Sequence, residues 1–402
     1  MHLDNGFALR GRTQTPRRFE LMHRFLRWLR HNFWQGLVEA WIEFFRLAFA
    51  NSKRFGPPTT LVSVYQILRC GVPPLRGRIV LGDQGTPKVT PDSLMQISGY
   101  QQHLQQPWPV FWSHHPNANL VSTSLALTNG KSLCLESVYG DRRAKIDPAW
   151  RAFRRARPVH LPGNWTSIVS LWLQTKSRPN WTHWLLDALP RLAVLDEFPP
   201  DTRILVPATL FESQKQSLSL LGLLDRCRPT KESHLTVENY YFSSPTAMLE
   251  GYNPYGIEFL RSKFLPKRDP KYAGPRNFFV TRTGSDRNPA SLQILNDFFS
   301  SIGWSLIQIS DLTFAQQIKL FSEANAVCGL VGSGLTNVVF CQPGCQVIML
   351  AQDYMPDSCL EWISQVVKAE FRFQICRTDS QQRIQPDIRV LRGILQGLGH
   401  QV

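Results

Sequence analysis

A chain of 402 residues is long enough for two domains with full cores, because a single core stops growing near ~250–300 residues. Its 43% apolar and 19% charged residues exclude global disorder. The formal net charge of +15 attracts anions of every kind, nucleic acid, anionic lipid and nucleotide diphosphates alike. The basic residues do not form one nucleic-acid-type arm, since one cluster runs from Arg17 to Arg30 and another from Arg142 to Arg157. No nucleic-acid-binding module is recognisable, and nucleic acid is not expected as a partner.

Between Arg18 and Asn51, apolar residues from Leu21 to Phe49 recur at three- and four-residue steps, which predicts an amphipathic helical arm. Arg24, Arg27, Arg30, Glu39, Glu43 and Arg46 interrupt it too often for a membrane span. Its apolar face either lies on an anionic membrane surface, with Trp28, Trp34 and Trp41 at headgroup depth, or packs on the protein body. Gly56-Pro57-Pro58 ends the arm, giving a first segment of residues 1–58. With no apolar h-region and eight scattered cysteines, of which only Cys341 and Cys345 are close, the expectation is a cytoplasmic protein with free thiols and no metal site.

From Thr60 to Pro158 the pattern is weak, with short strands at Ile79-Val80-Leu81 and Leu133-Cys134-Leu135. Strands are predicted at Ser167 to Leu173, Arg203 to Val206 and Tyr240 to Ser243, with helices from Trp181 and at Ser213 to Leu221. Pro190 should kink or end the first helix. Gly251 to Gly256 and Pro266 to Pro275 read as linkers, placing a boundary between segments 59–250 and 251–402. Beyond it, strands at Phe278 to Thr281, Ser305 to Ile309, Ala326 to Leu330 and Gln346 to Leu350 alternate with helices at Ser291 to Ser301, Phe314 to Glu323, Leu335 to Phe340 and Ser358 to Lys368. Such alternation implies parallel sheets, and its order suggests a Rossmann-like half built to hold a diphosphate.

Two motifs bear chemistry. In the helix from Trp181, residues Asn180, His183, Asp187 and Arg191 share an arc of about 80°, with Trp181, Leu185, Ala188, Leu189 and Leu192 on the other side. If that polar face lines a cleft, Asp187 can orient His183, which can accept a proton from an acceptor hydroxyl. The same pattern also describes a surface helix capped by Asn180, with Asp187 and Arg191 as an ion pair. In the second motif, Leu330-Val331-Gly332-Ser333-Gly334-Leu335-Thr336-Asn337, an apolar strand enters a glycine turn that opens a helix. Backbone N–H groups there suit a phosphate, with Ser333 or Thr336 as further donors, although a ligand-free turn has the same sequence. Arg282, at a strand end, and Arg287, beyond a polar turn, can reach the same edge and offer a bidentate fork.

Together these residues resemble glycosyltransferase family 61. The resemblance covers about Ser167 to Lys368 and rests on Asn180-x-x-His183 with Asp187 to Leu192, on Arg282 and Arg287, and on Gly332 to Asn337 with Phe340 and Pro343-Gly344. It implies an α/β, GT-B-like fold, two Rossmann-like domains facing a cleft, and an inverting transfer that requires no metal or other cofactor. Among the family's members, the resemblance is to the bacterial capsule-type enzymes. Carried to this chain, the resemblance makes Arg282, Arg287, Gly332, Ser333, Gly334, Thr336 and Asn337 the donor-binding set and His183, Asp187 and Asn180 the catalytic one. The implied partners are a nucleotide-sugar donor and a glycan or glycolipid acceptor, met at the inner face of the membrane. Where family members often carry His before the glycine turn this chain has Val331, and where they often carry Asn-Glu after the second arginine it has Ala290-Ser291. Those two departures motivate an alternative, a nucleotide-sugar-binding or scaffolding subunit without turnover.

Overall fold

The computed structural model describes residues 60–62, 76–81, 109–121, 125–128, 132–134, 137, 157–169, 180–248, 251–281, 292–352, 359–379 and 384–402. The arm expected at 18–51, the basic cluster up to residue 156, Arg282, Arg287, Ala290 and Ser291 lie outside the described residues.

Among the described residues, a first sheet contains β1 (Thr60–Val62), β2 (Arg76–Leu81), β3 (Val110–Val121), β4 (Ala126–Thr128), β5 (Ser132–Cys134), β6 (Val159–Ser167), β7 (Arg203–Pro207), β8 (Cys227–Thr230) and β9 (His234–Ser243). Their order is β1-β5-β4-β3-β9-β6-β7-β8, with β2 also paired to β3. The sheet is mixed: β9, β6, β7 and β8 run parallel, whereas β3 pairs antiparallel with β9 from Trp112↔Ser243 to Val121↔His234. A two-stranded ribbon follows, β10 (Ala247–Met248) with β11 (Gly251–Tyr252).

The second sheet contains β12 (Asn277–Thr281), β13 (Ser305–Gln308), β14 (Ala326–Leu330), β15 (Gln346–Gln352), β16 (Glu370–Thr378) and β17 (Ile384–Gln385) in the order β13-β12-β14-β15-β16-β17. Its first five strands are parallel and β17 is antiparallel. The chain moves from β12 outward to β13, then returns past β12 to β14. That reversal is a topological switch point at the carboxyl ends of β12 and β14, the position at which parallel α/β sheets take their ligands.

Among the described residues the α-helices are α1 (Trp181–His183), α2 (Glu212–Leu220), α3 (Pro254–Phe264), α4 (Leu292–Ser301), α5 (Phe314–Ser322), α6 (Cys359–Val367) and α7 (Ile388–Gly397). The segment Gly251 to Gly256, read as a linker, instead completes a ribbon and starts α3. Its Asn253 is an N-cap, accepting from Tyr255 N at 2.9 Å, and Pro254 occupies the first helical position, where its missing N–H costs nothing. Gly256 lets α3 pack closely, since a Cβ there would sit 2.6 Å from Thr246 Oγ1 and 3.1 Å from Pro190 Cβ. At the start of α5, Thr313 and Gln316 form a reciprocal box, Gln316 N donating to Thr313 Oγ1 at 3.3 Å and Thr313 N to Gln316 Oε1 at 3.0 Å.

Two further expectations meet the structure. Of the strand expected at Ser167 to Leu173, Ser167 is the last residue of β6, which begins at Val159, and residues 170–173 lie outside the described residues. Pro162-Gly163 looks like a break but is accommodated as a register shift between Leu161 and Asn164, with Gly163 at φ 84°. Pro190 neither ends the helix from Trp181 nor sits in an ordinary α-helix. The backbone widens to a π-helix over Trp184–Ala188 and tightens to a 3-10 helix over Leu189–Glu197. Proline has no N–H for the carbonyl of Leu186 and would crowd it in an α-helix; a long 3.5 Å bond from Thr246 Oγ1 reaches that carbonyl instead.

Thr60–Val402 forms one compact unit. One hydrophobic core runs through both sheets, from Ile168, Trp184 and Leu189 through Phe264 and Phe278 to Val347 and Leu395. A smaller core around Phe111, Leu120, Trp165 and Val237 covers another face of the first sheet. No helix among the described residues is long and apolar enough to cross a membrane.

Candidate active site

α1 and the π segment hold the first motif. Asn180 is the N-cap, its side chain accepting from His183 N at 3.4 Å while its carbonyl accepts from Trp184 N at 3.0 Å. Trp184 is fully buried and donates from Nε1 to Ser217 Oγ at 2.9 Å, which locks the wide turn against α2. His183 Nδ1 lies 2.5 Å from Asp187 Oδ2. The side chain of His183 is 21% exposed and that of Asp187 only 6%, so the pair points from the interior toward an opening. When Asp187 is ionised it can only accept, so His183 then carries a proton on Nδ1 and turns Nε2 away from Asp187.

Burial is the main influence on Asp187 and pushes its carboxyl above the ordinary range; the hydrogen bond and charge of His183 and the charge of Arg191 partly oppose this. Arg191 is also buried and donates to Val169 O at 3.5 Å. The polar face expected to line open space is therefore largely interior, and the surface-helix description does not apply. The strong acid–base partner of His183 sits inside the protein, in the arrangement that fixes a tautomer.

The second motif lies at the carboxyl end of β14. Val331 is buried and extends the strand, donating from N to Leu350 O at 2.9 Å. Gly332 has φ 154° and ψ 173°, a region that only glycine occupies readily, and it turns the chain into a 3-10 helix, Ser333–Phe340. The first bond of that helix runs from Leu335 N to Gly332 O at 3.1 Å, so the N–H groups of Ser333 and Gly334 precede its internal ladder. Ser333 is exposed, whereas Thr336 and Asn337 are buried behind the turn.

The two motifs meet. Thr182 Oγ1 and Thr336 Oγ1 are 2.8 Å apart, and Trp181 Nε1 donates to Asn337 Oδ1 at 3.1 Å. The ring of Trp181 also meets that of Phe314 edge-on at 5.1 Å between centroids. His183 thus follows directly after two residues bonded to the helix that opens at the glycine turn. Of the residues singled out in the sequence, His183 and Asp187 pair directly, and α1, which carries His183, is bonded to the helix that opens at Gly332, Ser333 and Gly334. Asn180 serves as a cap, and the side chains of Thr336 and Asn337 engage α1. Sequence reasoning missed Trp181 and Gln317 as polar partners, since an indole on the packing side of a helix gives no sign that its N–H is used. Among the described residues, no group of three His, Cys, Asp or Glu is placed to hold a metal ion.

Residues 181–348 match the family described as Glycosyltransferase 61, a span running from the start of α1 into β15. It takes in the His183–Asp187 pair, the carboxyl edge of β12 to β14 and the glycine turn. Those residues form a glycosyltransferase domain, more narrowly one of glycosyltransferase family 61. The comparison with curated proteins finds no relative that matches.

Proposed function

We propose that the protein is an inverting glycosyltransferase that moves a sugar from a nucleotide-sugar donor to a polysaccharide or glycolipid acceptor, its two α/β halves forming the two sides of a GT-B-type cleft. One observation carries the reading: the bonds from Trp181 and Thr182 to Asn337 and Thr336 tie the helix of the partly exposed His183 and its buried partner Asp187 to the helix that opens at the glycine turn, at a switch point. In this account the donor diphosphate lies against Gly332, Ser333 and Gly334, and Arg282 and Arg287 add bidentate cationic contacts. His183 Nε2 takes the proton of the acceptor hydroxyl, and the acceptor oxygen attacks the anomeric carbon. The bond from that carbon to the diphosphate breaks, and the nucleotide diphosphate leaves with the electron pair. N–H and guanidinium donors fixed around the leaving group stabilise its growing charge without reorganisation. Thr336 and Asn337 hold α1 instead of the donor. The capsule-type subgroup and action at the inner membrane face, through residues 18–51, complete the proposal.

A ligand that binds only the folded protein raises its apparent stability. Thermal unfolding against a panel of nucleotide diphosphates should therefore show a selective rise with one of them, and Arg282→Ala should abolish it. No rise with any nucleotide would contradict the proposal. A rise without sugar transfer would favour the non-catalytic alternative.

A further inference from the structure

The bond between Trp181 and Asn337 is one link of a longer chain. Asn337 Nδ2 lies 2.9 Å from Gln317 Oε1, and Gln317 Nε2 lies 3.1 Å from Ile309 O and 3.0 Å from Leu312 O. Both amides are buried, Asn337 at 0% and Gln317 at 4% exposure. The direction of the chain is forced at both ends. An indole nitrogen only donates, so the Asn337 atom facing it must be oxygen. Its nitrogen then faces Gln317, which must offer its own oxygen, and the Gln317 nitrogen is left to satisfy two carbonyls that only accept. No single amide can flip without setting oxygen against oxygen or nitrogen against nitrogen.

We infer that Gln317 and Asn337 are positioning residues that set the height of His183 over the donor, an inference that rests on the donor site proposed above. One end of the chain grips Ile309 and Leu312, on either side of the turn directly after β13, the strand beside β12 at the carboxyl edge of the second sheet. The other end grips Trp181, the first residue of α1, with His183 two residues on. Three side chains therefore span from the ligand edge of one sheet to the base carried by the other half. Surrounding rings, Phe314 on Trp181 and Phe340 on Phe314, keep water from competing. For the Asn337–Gln317 link itself, apolar side chains of similar shape would serve nearly as well for stability, although the Trp181 N–H and the Ile309 and Leu312 carbonyls would lose their partners at some cost. A fully satisfied, one-directional chain adds a unique geometry. Misplacement of a reacting group by about 1 Å can cost on the order of 10²-fold in rate.

Gln317→Glu and Asn337→Asp preserve shape and remove a donor, setting carboxylate oxygen against both Ile309 O and Leu312 O in the first and against Gln317 Oε1 in the second. Either should lower kcat about 10²-fold, with the donor KM and the nucleotide-induced rise in unfolding temperature nearly unchanged. Because a buried carboxylate can unfold a protein, the double variant Gln317→Met with Asn337→Leu is made in parallel. It should fold, bind the nucleotide diphosphate, and lose at least tenfold in kcat at saturating donor and acceptor. Full kcat in the folded double variant would overturn the assignment, as would a loss expressed only in donor KM. A wild-type protein that neither gains stability from any nucleotide nor transfers sugar would remove the donor site itself, and this assignment with it.

Discussion

Replacing His183 by Ala should reduce turnover by about 10²- to 10⁴-fold, the range for a positioned general base. At about 1.36 kcal/mol per decade, that is roughly 3–5 kcal/mol added to the barrier. Donor affinity should stay close to wild type, because His183 faces the acceptor hydroxyl in this account and the diphosphate rests on the glycine turn. The check is kcat at saturating donor together with nucleotide diphosphate affinity from thermal shift. Full turnover in the variant would remove His183 as the base. A parallel loss of turnover and nucleotide affinity would move it to the donor site.

Asp187→Asn should uncouple stability from activity. An amide can donate to His183 Nδ1, which places the imidazole proton on Nε2 and removes the lone pair needed for the acceptor hydroxyl. Turnover should fall by about 10²- to 10⁴-fold, as for loss of the base. Stability should move the other way. Burial raises the native carboxyl above its unfolded value, so its protonated form is the one the fold favours. Below about pH 4 the group is protonated in both states and wild type bears no ionisation cost. As pH rises through the raised native value, the cost of the buried charge is expressed in wild type alone, and the stability gap in favour of Asp187→Asn should widen. Denaturant unfolding of both proteins from pH 4 to pH 8 measures this. A variant that loses stability relative to wild type as pH rises would show that the bond to His183 outweighs the desolvation of Asp187.

Such a trade of stability for activity has the form expected of a functional site. It also marks where sequence pattern stops being sufficient. The strands of the second sheet were legible because they are short, apolar and separated by helices, as in Ala326-Val327-Cys328-Gly329-Leu330. His183 and Asp187 were legible as an i,i+4 pair, and the glycine turn as a strand-to-helix connection. Their burial was not, because helical periodicity assigns one face to solvent, whereas α1 and the π segment are enclosed by α2, α3 and the helix at Ser333–Phe340. The π-helix was equally hidden, since a proline such as Pro190 is compatible with a stop, a kink or a change of pitch.

Long-range pairing hid other elements. β3 contains His114-His115-Pro116-Asn117, which reads as a loop, yet β2 and β4 on one side and β9 on the other hold it extended. β16 was missed as well, although the alternation of Phe371, Phe373 and Ile375 with polar residues is a strand signal. Asn253-Pro254 shows how a turn-like dipeptide can be a helix start, a distinction that depends on the apolar spacing of Ile257, Leu260 and Phe264 behind it. The join between the two motifs had no sequence signature at all. Residues 182 and 336 are separated by most of the α/β region, and only the folded core brings their hydroxyls together.

The central claim is that a nucleotide diphosphate occupies the carboxyl edge of the second sheet beside His183. Photo-crosslinking tests it most directly, using a nucleotide diphosphate with a photoreactive base and mass-spectrometric mapping of the labelled peptides. The account predicts label between residues 277 and 312 and between 326 and 340, competed away by the unmodified nucleotide. Competable label confined to residues 159–243 of the first sheet would contradict it.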